Sequence, residues 1–387
     1  MTPTARAILL VLLGCGAAPL VWCETGADAA PRRVAPRADP PDAFASDAIG
    51  AQARQAMLDQ AEAALRAGEL ERAAAAFERA GSVRHAADAE LGLIRTWMQG
   101  GEYRRALAFA AHTAGAHPDA PAGIGLYAWL LHIGGQQAIA LQLLARAQTR
   151  MPQDATLAAT AALLKHPAAA PAPILLASPG RFAPLGEEPP APTGALRVNG
   201  SATLVDGGRR ALTSRAVVGD AARLWLRDGL GRVAAARIAR RLDEIGLVGL
   251  ELDPALDGGS IALPDRDPFP GSPAFAVEFA RDEAALPAWP QLHVGFLGAP
   301  SGEGVYRLGI DAADDASGGP VYDAAGRLVG VTVNDRGHAV LLAPSRLRRL
   351  IDAAGAAAPV SGGSGRLAVD EIYERSLRAV AQVLVAR

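Results

Sequence analysis

The turn Ser317-Gly318-Gly319-Pro320 is the segment of this sequence best suited to chemistry. A serine hydroxyl is a weak nucleophile until an adjacent base takes its proton. The surrounding stretch, residues 193–353, offers only His293 and His338 for that task. His293 lies in a strand-like run and His338 just before the last apolar run, so both read as packed or surface residues. Two glycines and a proline also make a tight turn in their own right, so the motif has a structural use beside a chemical one. Thiol chemistry, a cysteine-based zinc site and a disulfide scaffold are excluded for the body of the chain, because Cys15 and Cys23 both lie near the N-terminus. No two histidines show metal-ligand spacing backed by carboxylates, so the sequence assigns no metal and no cofactor.

The elements that must position Ser317 are short alternating or apolar runs separated by Gly, Asp and Pro, such as 202–205, 247–250 and 328–333. They predict an all-β region, a pair of barrels, over 193–353. Residues 317–331, SGGPVYDAAGRLVGV, resemble the nucleophile segment of trypsin-like serine peptidases, in particular the bacterial HtrA/Deg type. The likeness extends to 199–206 as a first barrel strand, to 211–218 and 245–252, and to 341–345 leading into a helix. It implies a trypsin-like double barrel, with a histidine in the second of these segments and an aspartate in the third. The matching positions hold Ala216 and Gly246. A slip of one residue brings in only Arg215, Val217, Ile245 or Leu247. Where the family has an oxyanion-hole glycine two residues before the serine, this chain has Asp315, whose carboxylate would oppose a developing negative oxygen. The resemblance therefore implies the fold without its triad, a pseudo-protease. A divergent serine hydrolase using Ser317 is the alternative.

Residues 51–165 are rich in Ala, Leu, Glu, Arg and Gln, good helix formers, and they repeat. Gly68, Gly101 and Gly135 are 33 and 34 residues apart, and Pro118 and Pro152 are 34 apart. The spacing predicts helices over 52–66, 70–80, 86–99, 103–114, 121–133 and 137–149, with a capping helix over 154–165. This pattern resembles the tetratricopeptide (TPR) repeat, although His85 stands where the first unit should have its proline. The resemblance implies a concave groove for a protein or peptide partner. Arg66, Asp88, Arg95, Met98, Gln99, Trp129 and His132 are expected to face it, and Trp129 with Arg95 is its leading pair.

The remaining segments read as an address, tethers and a tail. Residues 1–29 carry Arg6, an apolar run and Ala27-Asp28-Ala29, which predicts an export signal. Leu12-Leu13-Gly14-Cys15 resembles a lipobox, so lipidated Cys15 as a membrane tether and soluble export are both open. Either reading places the body in the bacterial periplasm or cell envelope. Residues 30–50 and 166–192 are Pro- and Ala-rich and are expected to be extended linkers. Residues 354–387 are expected to be a flexible tail with an amphipathic helix over 369–386. A formal net charge of -2 argues against a nucleic-acid partner. The expected protein is thus multidomain α + β: helical hairpin repeats, then an all-β double barrel, acting as an exported adaptor or scaffold.

Overall fold

The computed structural model describes residues 42–166, 171–189, 196–242, 246–258, 264, 266–310, 317–335, 338–352 and 365–386. The expected signal segment, Cys15, most of the first linker and Asp315 lie outside the described residues. Ala48–Arg387 form one compact unit, distinct from Met1–Asp47.

Helices come first: α1 (Asp42–Arg66), α2 (Leu70–Val83), α3 (Ala87–Gln99), α4 (Tyr103–Ala116), α5 (Pro121–Ile133), α6 (Gln137–Arg150) and α7 (Ala155–Lys165). They pack as successive antiparallel hairpins, each helix against the next from α2 to α7. α1 starts at Asp42, inside the expected linker 30–50, because 42–50 continue its run of helix-forming residues without a proline. Gly68, Gly101 and Gly135 follow α1, α3 and α5 with φ of +75°, +79° and +83°. In each case the next residue's N–H reaches back five residues in a Schellman closure: Glu69 to Ala64, Glu102 to Trp97 and Gln136 to Leu131. This local reason for a 34-residue period is what the sequence displayed.

The β region is two closed six-stranded antiparallel barrels. The first contains β1 (Leu196–Val205), β2 (Arg210–Ser214), β3 (Leu224–Asp228), β4 (Val233–Leu242) and β5 (Leu247–Asp253). The second contains β6 (Pro273–Glu278), β7 (Gln291–Gly302), β8 (Val305–Gly309), β9 (Pro320–Tyr322), β10 (Leu328–Asp335) and β11 (His338–Leu342). Short helices α8 (Pro173–Leu176), α9 (Arg215–Val218), α10 (Pro344–Asp352) and α11 (Val369–Ser376) complete the set. Ala202, Leu204, Val248, Leu250 and Val383 fill the first barrel, and Ala274, Leu297, Val321 and Leu341 the second.

The tail departs from expectation. Only 369–376 are helical, and the residues beyond form β12 (Val380–Ala386). β12 closes the first barrel between β1 and β3, with Val383 opposite Gly200 and Leu226. The apolar spacing that suggested an amphipathic helix belongs to a short strand whose residues 380–385 are all buried. Such a run has no clear period of its own. The β domain therefore does not end at 353. Tyr373 of α11, wholly buried, donates to the Pro290 carbonyl at 2.7 Å and meets Tyr103 of α4 edge-on at 4.5 Å. One short helix thus fixes the repeats to the strands.

The second linker departs as well. Residues 171–189 are packed rather than extended free in solvent: Leu175, Phe182 and Ala183 are buried. Those apolar side chains among the prolines find a surface on the helices: Phe182 stacks with Trp129 of α5, and α8 packs on α7. At the α5–β7 contact, His132 is buried with His293 close enough to act on its charge. Burial first, and that neighbour second, lower its pKa to about 4.

Two outcomes follow. Deleting 369–387 removes a barrel strand, so the truncated chain should lose its cooperative unfolding transition by circular dichroism; a merely docked helix would leave the transition in place. His132 is neutral when folded but takes a proton near pH 6.5 when unfolded, so stability should be flat above that pH. It should fall by up to roughly 3 kcal/mol as pH drops towards 4. His132→Leu should remove that slope in denaturant titrations across this pH range.

Candidate functional site

Ser317 begins the turn that leads into β9 of the second barrel and lies against β1 of the first, and it is 1% exposed. Its carbonyl accepts from the Ser201 N–H on β1 at 3.0 Å. The next carbonyl, Gly318, accepts from Thr203 Oγ1 at 2.9 Å. On the other side, the Gly318 N–H donates to the Thr332 carbonyl on β10 at 2.8 Å, and the Gly319 N–H to Thr332 Oγ1 at 3.0 Å. Thr332 Oγ1 in turn donates to the buried Glu278 carboxylate on β6. Gly318 has φ of +90°, and a Cβ there would stand 1.9 Å from the Ser201 carbonyl oxygen and 2.5 Å from Thr213 Oγ1. Only glycine fits, because the turn lies flat against β1 and β2.

The two segments that hold Ala216 and Gly246 touch each other near this turn. α9 starts beside Gly246, whose carbonyl accepts from the Arg215 N–H at 2.8 Å. Ser214 caps the helix through the Ala216 N–H. Val217 packs on Gly200, next to the Ser317 carbonyl. Ala216 and Gly246 offer no side-chain proton acceptor. Neither described histidine of the β domain belongs there. His293 pairs with Ala276 on β6 and turns its charge on His132, while His338 opens β11 opposite Asp335, three register positions beyond the Thr332–Leu341 pair. The expected oxyanion residue, Asp315, is outside the described residues.

Several of the residues expected to face a groove contact the chain's own segment 178–185 instead. Gln99 holds Leu185 at both backbone atoms: its Nε2 donates to the Leu185 carbonyl at 3.1 Å, and its Oε1 accepts the Leu185 N–H at 2.8 Å. The same Nε2 reaches the Leu230 carbonyl at 2.6 Å. Trp129 stacks with Phe182 at 6.3 Å. Arg95, 4% exposed, pairs with Glu62 beneath Ser178. Met98 is fully buried, and His132 lies against Trp129 at 5.4 Å. Asp88 is directed elsewhere, into a bidentate pair with Arg54 of α1 that holds its carboxyl below the usual carboxylate range. Arg66 edges a cleft of about 570 Å³ between the first hairpin and the first barrel, shared with Glu187, Arg232 and Arg378.

The sequence reading missed one cluster. His85, Glu90 and His117 place ligand atoms within 4.8 Å of one another, which overturns the expectation that no histidines gather on a carboxylate. The period hides this, because His85 and His117 lie in the turns after α2 and α4 while Glu90 lies in α3 between them. His85 in the proline position was the available signal.

Residues 200–331, from β1 through β10, match the family described as the trypsin-like peptidase domain. No curated protein matches the chain. Similar solved structures include an HtrA-type protease, AlgW, with a decapeptide: 18% identical over 40% of this chain and 51% of that one, TM-score 0.34. Another is the serine endoprotease from Yersinia pestis, 17% identical over 45% of this chain and 64% of that one, TM-score 0.34. The chain thus spans less than two thirds of either. The family match over 200–331 and the two closed six-stranded barrels give this part of the chain the trypsin-like peptidase fold.

Proposed function

We propose that this protein is an exported, non-catalytic adaptor or scaffold in which the peptidase domain is kept for its shape. One observation carries the reading: Ser317 is buried, and the positions matching the base and acid hold Ala216 and Gly246. Losing a triad member in a comparable serine protease lowers kcat by about 10⁶-fold, and the residual rate depends on an intact oxyanion hole. Asp315 in place of glycine works against that remainder. Export rests on the apolar segment and small-residue pattern of 1–29, with Cys15 as the candidate lipid anchor. Among the described residues, no helix is long and apolar enough to cross a membrane.

The partner is a protein or peptide. Segment 178–185 indicates what these helices accept: a chain gripped by its backbone at Gln99 and by one aromatic ring at Trp129. Fixed repeats, this segment and barrels form the rigid body on which such an adaptor presents its surfaces.

A fluorophosphonate probe tests the inactive site. The full chain should show no covalent labelling above that of Ser317→Ala, by intact-protein mass spectrometry, over hours at pH 7 to 8. Stoichiometric labelling lost in Ser317→Ala would establish a working nucleophile and overturn the reading in favour of a divergent hydrolase.

A further inference from the structure

Four side chains at one edge of the helical array have no part in the function proposed above. His85 follows α2, Glu90 sits in the first turns of α3, and His112 and His117 lie in and just after α4. Three of the seven histidines of the chain thereby surround one carboxylate. His85 Nε2 lies 2.7 Å from Glu90 Oε1, His112 Nε2 lies 3.7 Å from the same oxygen, and His117 Nε2 lies 3.5 Å from Glu90 Oε2. The rings face one another as well: His85 and His117 are 4.7 Å apart, His85 and His112 6.2 Å.

Burial is graded across the group. The Glu90 side chain is 7% exposed and that of His117 17%, while His85 and His112 reach solvent at 62% and 55%. Glu90 Oε2 and His117 Nε2 are sealed from solvent, and neither has a hydrogen-bond partner. The two atoms lie 3.5 Å apart, an imidazole nitrogen on one side and a carboxylate oxygen on the other. A buried polar atom left unmatched is destabilising, so the arrangement asks for an occupant. A tetrahedral ion bound at about 2.0–2.1 Å by nitrogen and oxygen needs ligand atoms roughly 3.3 Å apart. The three separations bracket that value, and the two exposed imidazoles are free to close on it by side-chain rotation.

We propose that His85, Glu90, His112 and His117 bind one divalent transition-metal ion, with zinc the best match. Imidazole nitrogens with a single carboxylate suit zinc, copper or nickel, and not the oxygen-seeking calcium or magnesium. The donors come from the turn between α2 and α3, from α3 itself and from the end of α4, so the ion ties neighbouring hairpins together. Its role is structural. It acts where the first unit lacks the proline that marks the next two turns, Pro118 and Pro152.

The test uses the full chain and zinc chloride. After equilibrium dialysis at micromolar zinc, elemental analysis should find about one zinc per chain, and His85→Ala should weaken binding by at least ~10-fold. His85 is exposed, so that variant should stay folded. The double variant His85→Ala/His117→Ala should retain none, while His338→Ala, at the other end of the molecule's sequence, should bind as the parent does. Cobalt(II) in place of zinc should give visible d–d bands typical of a four-coordinate site, and zinc should raise the thermal midpoint of the parent and of His338→Ala but not of the double variant. Absence of retained zinc, or equal binding by the double variant, would overturn the proposal. Neither result bears on labelling of Ser317.

Discussion

The seam between the barrels is governed by one glycine. Gly318 sits at positive φ with no room for a side chain, its N–H bound to β10 and its carbonyl to β1. Through it, Ser201, Thr203 and Thr213 of the first barrel are linked to Thr332 and Glu278 of the second by a run of buried hydrogen bonds. Low local polarity strengthens such a network when every member is matched and makes it costly to break. The barrels thus meet at a turn that in an active peptidase would present the nucleophile. That gives the sequence a structural reason to hold Ser-Gly-Gly-Pro, whatever chemistry Ser317 does.

The same economy of use runs outward from the seam. Gly101 and Gly135, needed to end helices, also let the hairpin corners approach the strands: Gly101 meets Leu230 and Arg378, and Gly135 meets Leu292 and Val294. α11 reaches α4 through paired tyrosines and then hands the chain to β12. The first barrel is therefore closed by the last strand in the sequence, and the repeats cannot swing away without disturbing it. The contacts of segment 178–185 with the helices add a third tie between the two halves.

Much of this was legible in the sequence because it is local. Helix ends at Gly68, Gly101 and Gly135 need only positive φ and a backbone closure, and six of the helices fall within a few residues of their expected bounds. The segments around Ala216 and Gly246 were legible as strand and turn, and the structure joins them through the Arg215 N–H and the Gly246 carbonyl. What failed to show is non-local. β12 and α11 share one apolar run, and only a vacancy between β1 and β3 decides which part becomes strand. The linker's fate depends on whether Leu175, Phe182 and Leu185 find a matching surface, and composition averages those three residues away among prolines and alanines. The histidine cluster depends on how hairpins stack, and that is set by packing rather than by spacing along the chain.

The central claim is that the Ser-Gly-Gly-Pro turn is retained as a joint between barrels and not as a nucleophile. Thermal unfolding of Ser317→Ala beside Gly318→Ala tests it most directly. The account predicts that loss of the hydroxyl changes stability by no more than ~1 kcal/mol, whereas a methyl at Gly318 destabilises by more than about 3 kcal/mol through its clash with the Ser201 carbonyl and its positive φ. A Gly318→Ala protein as stable as the parent would contradict it.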